Sequence, residues 1–196
     1  MELKEELLTY QPYNEQEEKD RDLILSLLDA EPDIYTRDNH TFHMTASAWV
    51  VSKDRTKVLL AYHNLYDSWA WLGGHCDGQK DMLNVAIREV REESGLQDIS
   101  PLMENIFSLE VLTVDGHEKK GEYVSSHLHL NVTYLLEADS SQPLHSKPDE
   151  NKAVGWFAPQ EVYIKSTEPW FIERIYRKLN EKLAAFISEE QTGKKN

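Results

Sequence analysis

The segment from Met82 to Ser94 constrains this chain more than any other, because it places two opposed demands on one helix. Leu83, Ala86, Ile87 and Val90 recur at spacings of three and four, an apolar stripe that an α-helix buries against a core. Glu89, Glu92 and Glu93 follow the same spacings and emerge together beside that stripe. Gly95 ends the segment as a C′ glycine does, since a residue without Cβ enters the left-handed region at no steric cost. Three adjacent carboxylates cost a helix roughly 0.2–0.5 kcal/mol per like-charged pair unless something positive sits among them. Hard oxygen ligands of this type suit Mg²⁺ or Mn²⁺, and the sequence shows no nearby Cys/His cluster of the kind zinc prefers. A solvated acidic face is the plainer reading of an arbitrary glutamate triplet. The residues around this one shift that balance.

The flanking chain is rich in strands. Thr45 to Val51 and Lys57 to His63 are β-branched and apolar runs around the polar turn Ser52 to Arg55, which predicts an antiparallel hairpin. Trp69, Trp71 and Leu72 lead into Gly73-Gly74, just before the helix. Ile106 to Val114 and His127 to Leu136 are two further strands, joined by a polar loop with Asp115-Gly116 and Lys119-Lys120-Gly121. Ala153 to Phe157 is a shorter one. Asn14 to Ala30 predicts an N-terminal helix, with Leu23, Leu25, Leu27 and Leu28 near its end and Glu31-Pro32 closing it. Trp170 to Ile187 predicts a C-terminal helix on Ile172, Ile175, Leu179, Leu183 and Phe186, followed by a polar tail, Ser188 to Asn196, that frays. Strands interrupted by one buried helix and closed by another predict an α+β fold, an α/β/α sandwich with a mixed sheet. With 196 residues and 40% hydrophobic content the chain fills one core, so residues 1–196 read as a single domain. Residues 1–39 are its N-terminal helical extension and 168–196 its C-terminal helix and tail.

The formal charge of −14 argues against nucleic acid or an anionic membrane as partner, because both are bound through basic patches. A small anion is compatible with this charge if metal ions neutralise it locally. Cys76 is the lone cysteine, so no intramolecular disulfide forms. Met1 to Tyr10 carries Glu2, Glu5 and Glu6 and lacks the basic flank and apolar run of a secretory signal, and no stretch is apolar enough to span a bilayer. A cytoplasmic protein is the expectation. The N- and C-terminal helices offer a surface for a homodimer.

From Gly74 the sequence has five residues, Lys80, seven residues, and then Arg88-Glu89-Val90-Arg91-Glu92-Glu93-Ser94-Gly95-Leu96. This resembles the Nudix box at every defined position except Lys80, where the family has glutamate. Trp69 to Gly74 is similar to the strand that feeds the Nudix loop. The resemblance implies the family's α/β/α sandwich and metal-dependent hydrolysis of a diphosphate linkage in a nucleotide-like small molecule. It implies Glu89, Glu92 and Glu93 as ligands of Mg²⁺ or Mn²⁺, with a backbone carbonyl of Gly73 or Gly74 as a further ligand. Arg88 would hold the glutamates by salt bridging, which its four-residue spacing to Glu92 allows. The family draws one more carboxylate from a loop, for which Glu150 is the candidate with Asp149 close behind, a solvated loop acid being the plainer alternative. The general base is Glu150 or Glu93, with Glu93 read primarily as a ligand and Glu150 therefore preferred as base.

Departures from the pattern sharpen the expectations. Gly73-Gly74-His75-Cys76-Asp77-Gly78-Gln79-Lys80 displaces the loop glycine and loses the first box glutamate, so Asp77 or Asp81 is a substitute carboxylate, or Lys80 contacts substrate phosphate. His127 and His129 share one face of a predicted strand and are candidate substrate contacts, although ordinary strand histidines are the plainer reading without a complete metal triad. Lys119 and Lys120 sit where they could approach a phosphate, with solvated lysines as the plainer reading. Trp69, Trp71 and Trp156 read as core before base-stacking residues. Two alternatives compete with the hydrolase: a non-catalytic nucleotide-sensing Nudix domain, motivated by Lys80, and an isopentenyl-diphosphate isomerase-like enzyme, motivated by Cys76. Sixteen residues after Gly95 stands Val111, where ADP-ribose-cleaving members carry proline.

Overall fold

The computed structural model of the chain describes residues 2–31, 33–119 and 121–193. Met1, Pro32, Lys120 and the last three residues of the tail, all named above, lie outside the described residues, and of Lys119 only the backbone is described. Helices α1 (Leu3–Thr9) and α2 (Glu15–Ala30) come first, followed by strands β1 (Phe42–Ser52), β2 (Val58–His63), β3 (Ser68–Ala70) and β4 (Leu72–His75). Helix α3 (Met82–Ser94) leads to β5 (Ile99–Pro101), β6 (Ser108–Val114), β7 (His117–Lys119), β8 (Glu122–Val124), β9 (His127–Ala138) and β10 (Asn151–Phe157). A 3₁₀ turn at Pro159–Glu161 precedes α4 (Val162–Lys165) and α5 (Pro169–Phe171), and a π-helical turn, Ile172–Tyr176, precedes α6 (Arg177–Gly193).

These elements gather into two compact units. The first comprises Met1–Ala48, Gly73–Glu89 and Met103–Leu135, the second Trp49–Leu72, Val90–Leu102 and Leu136–Asn196. In the first, β6 and β9 run antiparallel in unbroken register from Ser108↔Thr133 to Val114↔His127. Asn14 caps α2 by accepting the Glu17 N–H, one of the donors a first helical turn leaves open. Helix α2 packs on β6 through Ile24 and, unexpectedly, through the carboxylate of Glu17, while Leu23 is exposed. Glu17 is fully buried yet satisfied: it accepts from the Tyr10 hydroxyl (2.6 Å), the Tyr13 N–H (2.7 Å) and the Ser108 hydroxyl (2.9 Å). A polar belt continues from there. Asn131 donates to Glu110 (3.1 Å) and accepts from the hydroxyls of Thr45 (3.0 Å) and Ser47 (2.9 Å), all of them buried. A network so fully paired fixes register where an apolar core would only fill space.

In the second unit β2 runs antiparallel between β10 and β3, with Val154↔Ala61 on one side and Ala61↔Ala70 on the other. The predicted hairpin is present, closing with Val51 opposite Val58. Arg55 takes a left-handed backbone in its turn (φ 61°) and lays its guanidinium on Glu137 at 2.6 Å. Val58 to Ala61 are all buried, a continuous apolar run as expected of a strand covered on both faces. The π turn sends Ile175 and Tyr176 inward, where the Tyr176 ring stacks on buried Trp49 and meets the Trp71 ring edge-on, each at 5.9 Å.

Eight strands form one sheet in the order β10-β2-β1-β9-β5, with β3 beside β2, β4 beside β1 and β6 beside β9, and β7 and β8 make a separate hairpin. The fold class read from the sequence holds: a mixed sheet with helices on both sides. Several details differ. Helix α1 and strands β5, β7 and β8 were not legible, being at most seven residues long and without sustained periodicity. The polar loop after Val114 is in fact the β7–β8 hairpin. Helix α6 continues through Gly193, past the point where a fraying tail was expected.

Candidate active site

Helix α3 opens on a side-chain cap: Asp81 accepts the N–H of Asn84 at 3.0 Å. Asp81 is thus engaged as a helix cap, and Asp77 pairs with Arg37 (2.8 Å), so each acid proposed for the missing box glutamate has another partner. Met82, Val85, Ala86 and Val90 are buried, whereas Leu83 and Ile87 are half-exposed. The buried stripe is therefore rotated toward Val85 relative to the predicted one. Its continuation at helical spacing is Glu89 and Glu93, which are only 8% and 3% exposed. Two carboxylates thus occupy positions that a helix ordinarily gives to its core, and Glu92 faces solvent beside them.

Two glycines make room at the start of the loop. A Cβ on Gly74 would stand 2.5 Å from Glu89 Oε2, so glycine alone lets this carboxylate lie against the β4 backbone. A Cβ on Gly73 would come within 2.6 Å of the Ala46 carbonyl oxygen and of Ser47 Cα, so glycine is what lets β4 lie against β1. Arg88 then ties helix to loop. Its Nη2 donates to Glu89 Oε1 and to the His75 carbonyl, both at 2.6 Å, and its Nη1 donates to Gln79 Oε1 at 2.9 Å. Gln79 was missed in the sequence because the box directs attention to the next position. It joins the loop to Arg88 of the helix. Lys80 itself is exposed, with Nζ 5.5 Å from the centre of the Tyr35 ring.

Within the second unit, a loop from His145 to Asn151 is bound to the last turn of α3. The His145 N–H donates to the Ser94 carbonyl (2.8 Å) and the Asn151 side chain donates to the Glu93 carbonyl (3.1 Å). Lys147 Nζ joins Glu92 (3.1 Å) to Glu150 (3.0 Å). Partial burial works against this ammonium, but its bonds to the two carboxylates outweigh that and hold its pKa above the ordinary lysine value. Glu150 immediately precedes β10, which starts at Asn151, two residues earlier than predicted.

The histidines correct the sequence reading most. His129 and His127 do belong to a larger group: ring nitrogens of His43, His75 and His129 lie within 4.8 Å of one another. Three rings so placed could hold one metal ion, a grouping that the sequence did not reveal. Burial, with the neighbouring His75 and His43, pushes His129 down to about 2, and burial likewise lowers His43.

Cys76 is 1% exposed, its sulfur 3.5 Å from the Met82 sulfur, and burial pushes the thiol up to about 12. It packs as a small apolar residue. Alkylation by iodoacetamide at pH 8 is expected to be at least ~10²-fold slower in the folded chain than in urea; labelling at equal rates would restore Cys76 as a reactive group. Trp69 packs edge-on against Tyr62 (5.5 Å) and Phe157 (4.7 Å), as core aromatics do. No helix among the described residues is long and apolar enough to cross a membrane.

This architecture is shared with solved structures. It is similar to a C. elegans Ap4A hydrolase in binary complex, at 18% identity and TM-score 0.54, over 74% of this chain and 98% of that one. A Nudix hydrolase from M. smegmatis matches at 16% identity and TM-score 0.53, over 73% and 86%. The E. coli dihydroneopterin triphosphate pyrophosphohydrolase matches at 13% identity and TM-score 0.50, over 70% and 95%. At these identities the likeness is one of fold. No curated protein sequence matches the chain. The family model for the NUDIX domain, however, matches residues 41–179, which take in the glycine pair, the carboxylate helix and the Lys147 loop alike. With most of its length matched, the chain belongs to the Nudix hydrolase family.

Proposed function

We propose that the chain hydrolyses a diphosphate linkage in a nucleotide-like small molecule, using Mg²⁺ or Mn²⁺ held by Glu89, Glu92 and Glu93 with a carbonyl of Gly73 or Gly74. One observation carries this reading: α3 continues its buried stripe with Glu89 and Glu93, and glycine at 74 clears the space where Glu89 meets the β4 backbone. Carboxylates and a backbone carbonyl brought together are the hard oxygen donors that such an ion requires. When bound, the ion neutralises non-bridging phosphate oxygens and acidifies a bound water.

The chain's own residues do the rest. Arg88 holds Glu89 in place through its 2.6 Å bond and anchors it to the loop. Lys147 positions both Glu92 and Glu150. Glu150 takes the proton from the water whose oxygen attacks phosphorus, and the bond from that phosphorus to the bridging oxygen breaks, leaving with the second phosphate. The Lys80 ammonium, exposed beside the loop, is free to meet a substrate phosphate.

The test is product release from a panel containing a dinucleoside polyphosphate, a nucleoside triphosphate and a nucleoside diphosphate sugar, each with Mg²⁺ or Mn²⁺. Metal-dependent turnover of at least one, abolished by chelator, is the expected result. Tight nucleotide binding in calorimetry with no product after long incubation would replace the hydrolase with a sensor.

A further inference from the structure

Five of the eight histidines in the chain, His43, His75, His117, His127 and His129, converge in one place, and none of them lies on the glutamate helix. We infer that His43, His75 and His129 form a second metal site, for a borderline divalent ion of the zinc class, with His127 at its edge. The three come from β1, β4 and β9, and all belong to the first unit.

The spacing fits one shared ion. Ring centres are 5.1 Å apart for His43 and His75, 5.0 Å for His43 and His129, and 4.9 Å for His75 and His129. Imidazoles that share a tetrahedral zinc through bonds of ~2.0–2.1 Å have centres about 5 Å apart. His127 Nε2 lies 3.2 Å from His129 Nε2. The nitrogen-to-nitrogen edge of such a tetrahedron is about 3.3 Å.

The hydrogen bonds orient the rings for this purpose. A backbone carbonyl can only accept, so His43 Nδ1, 3.1 Å from the Asn39 oxygen, and His127 Nδ1, 2.8 Å from the Ser125 oxygen, both carry hydrogen. With Nδ1 so engaged, His43 is left with Nε2 as its donor nitrogen. One nitrogen on a carbonyl and the other left for an ion is how ligating histidines are held; His127 Nε2 meets His129 Nε2 instead. An independent sign comes from His43: the residue is 4% exposed, and its Nε2 is buried without a hydrogen-bond partner. His75, His127 and His129 are half-buried, so the cluster remains reachable from solvent.

Nitrogen donors select zinc-type ions over Mg²⁺, whereas the carboxylates of α3 select the other way. The two sites therefore sort different metals. They also share a segment. The His75 carbonyl accepts from the same Arg88 nitrogen that binds Glu89, so an ion on the His75 ring stiffens the loop that places Glu89.

The site stands independently of the hydrolase reading, and its test uses no turnover. Zinc alone is titrated into the metal-stripped full chain in excess Mg²⁺, followed by calorimetry. One site with Kd below about 1 µM is expected, unaffected by Glu93→Gln and weakened more than ~10²-fold in His43→Gln and His129→Gln, with folding checked by circular dichroism. Absence of such a site in the wild-type chain, or equal affinity in the folded histidine variants, overturns the proposal. If those variants do not fold, cobalt bound to the wild-type chain decides. Intense visible bands of tetrahedral nitrogen coordination support the site, and the weak bands of an octahedral ion overturn it.

Discussion

Glu93→Gln is expected to lower kcat while the chain stays folded, by about 10²–10⁴-fold if Glu93 acts as the general base. The substitution keeps the shape of a side chain that is 3% exposed, so the packing around it is retained. What is lost is one negative charge and one hard oxygen donor on the buried stripe of α3. The contact that binds the loop to this residue uses its carbonyl, the acceptor for Asn151, and survives the change. Structure and chemistry are therefore separable at this position. The metal dependence assigns the role: if Glu93 is a ligand, raising Mg²⁺ restores part of the rate, whereas Glu150→Gln lowers the rate at every Mg²⁺ concentration alike. Unchanged metal-dependent turnover in Glu93→Gln would remove the carboxylate helix from the mechanism.

Gly73→Ala is expected to destabilise the fold by about 3 kcal/mol, lowering Tm by roughly 6–12 °C in thermal unfolding. The added Cβ would lie 2.6 Å from the Ala46 carbonyl oxygen and from Ser47 Cα, and it would also meet the Ser47 hydroxyl. The first two are backbone atoms of β1 and cannot swing aside, so strands must separate. Gly74→Ala meets a different obstacle, the far end of the Glu89 side chain. It is the substitution that moves a ligand while sparing the sheet. A wild-type Tm for Gly73→Ala would show that β4 does not approach β1 this closely.

Residues of the carboxylate helix were legible because their message is local. The spacing of Glu89, Glu92 and Glu93, the cap-like stop at Gly95 and the order of the box are all properties of neighbouring positions. Even there the reading missed by a rotation. Leu83 and Ile87 are apolar enough to suggest a stripe, but the helix buries Val85, Glu89 and Glu93 in their stead, because carboxylates count as surface residues until a reason to bury them appears. Lys80 drew attention as the departure from the box, while Gln79, one residue earlier, makes the bond to Arg88. Nothing in the local pattern distinguishes those two positions.

The sequence by itself determined the longer elements, the glutamate helix and the family, since each rests on periodicity or spacing along a short stretch. Tertiary structure alone decided that His43, His75 and His129 meet, that Lys147 joins Glu92 to Glu150, and that Glu17 enters a polar belt with Ser108. Apart from Lys147 and Glu150, which are three residues apart, these partners come from distant parts of the chain. Their meeting depends on strand order and register, which arise from the packing of the entire sheet and leave no trace in the pattern of any one segment.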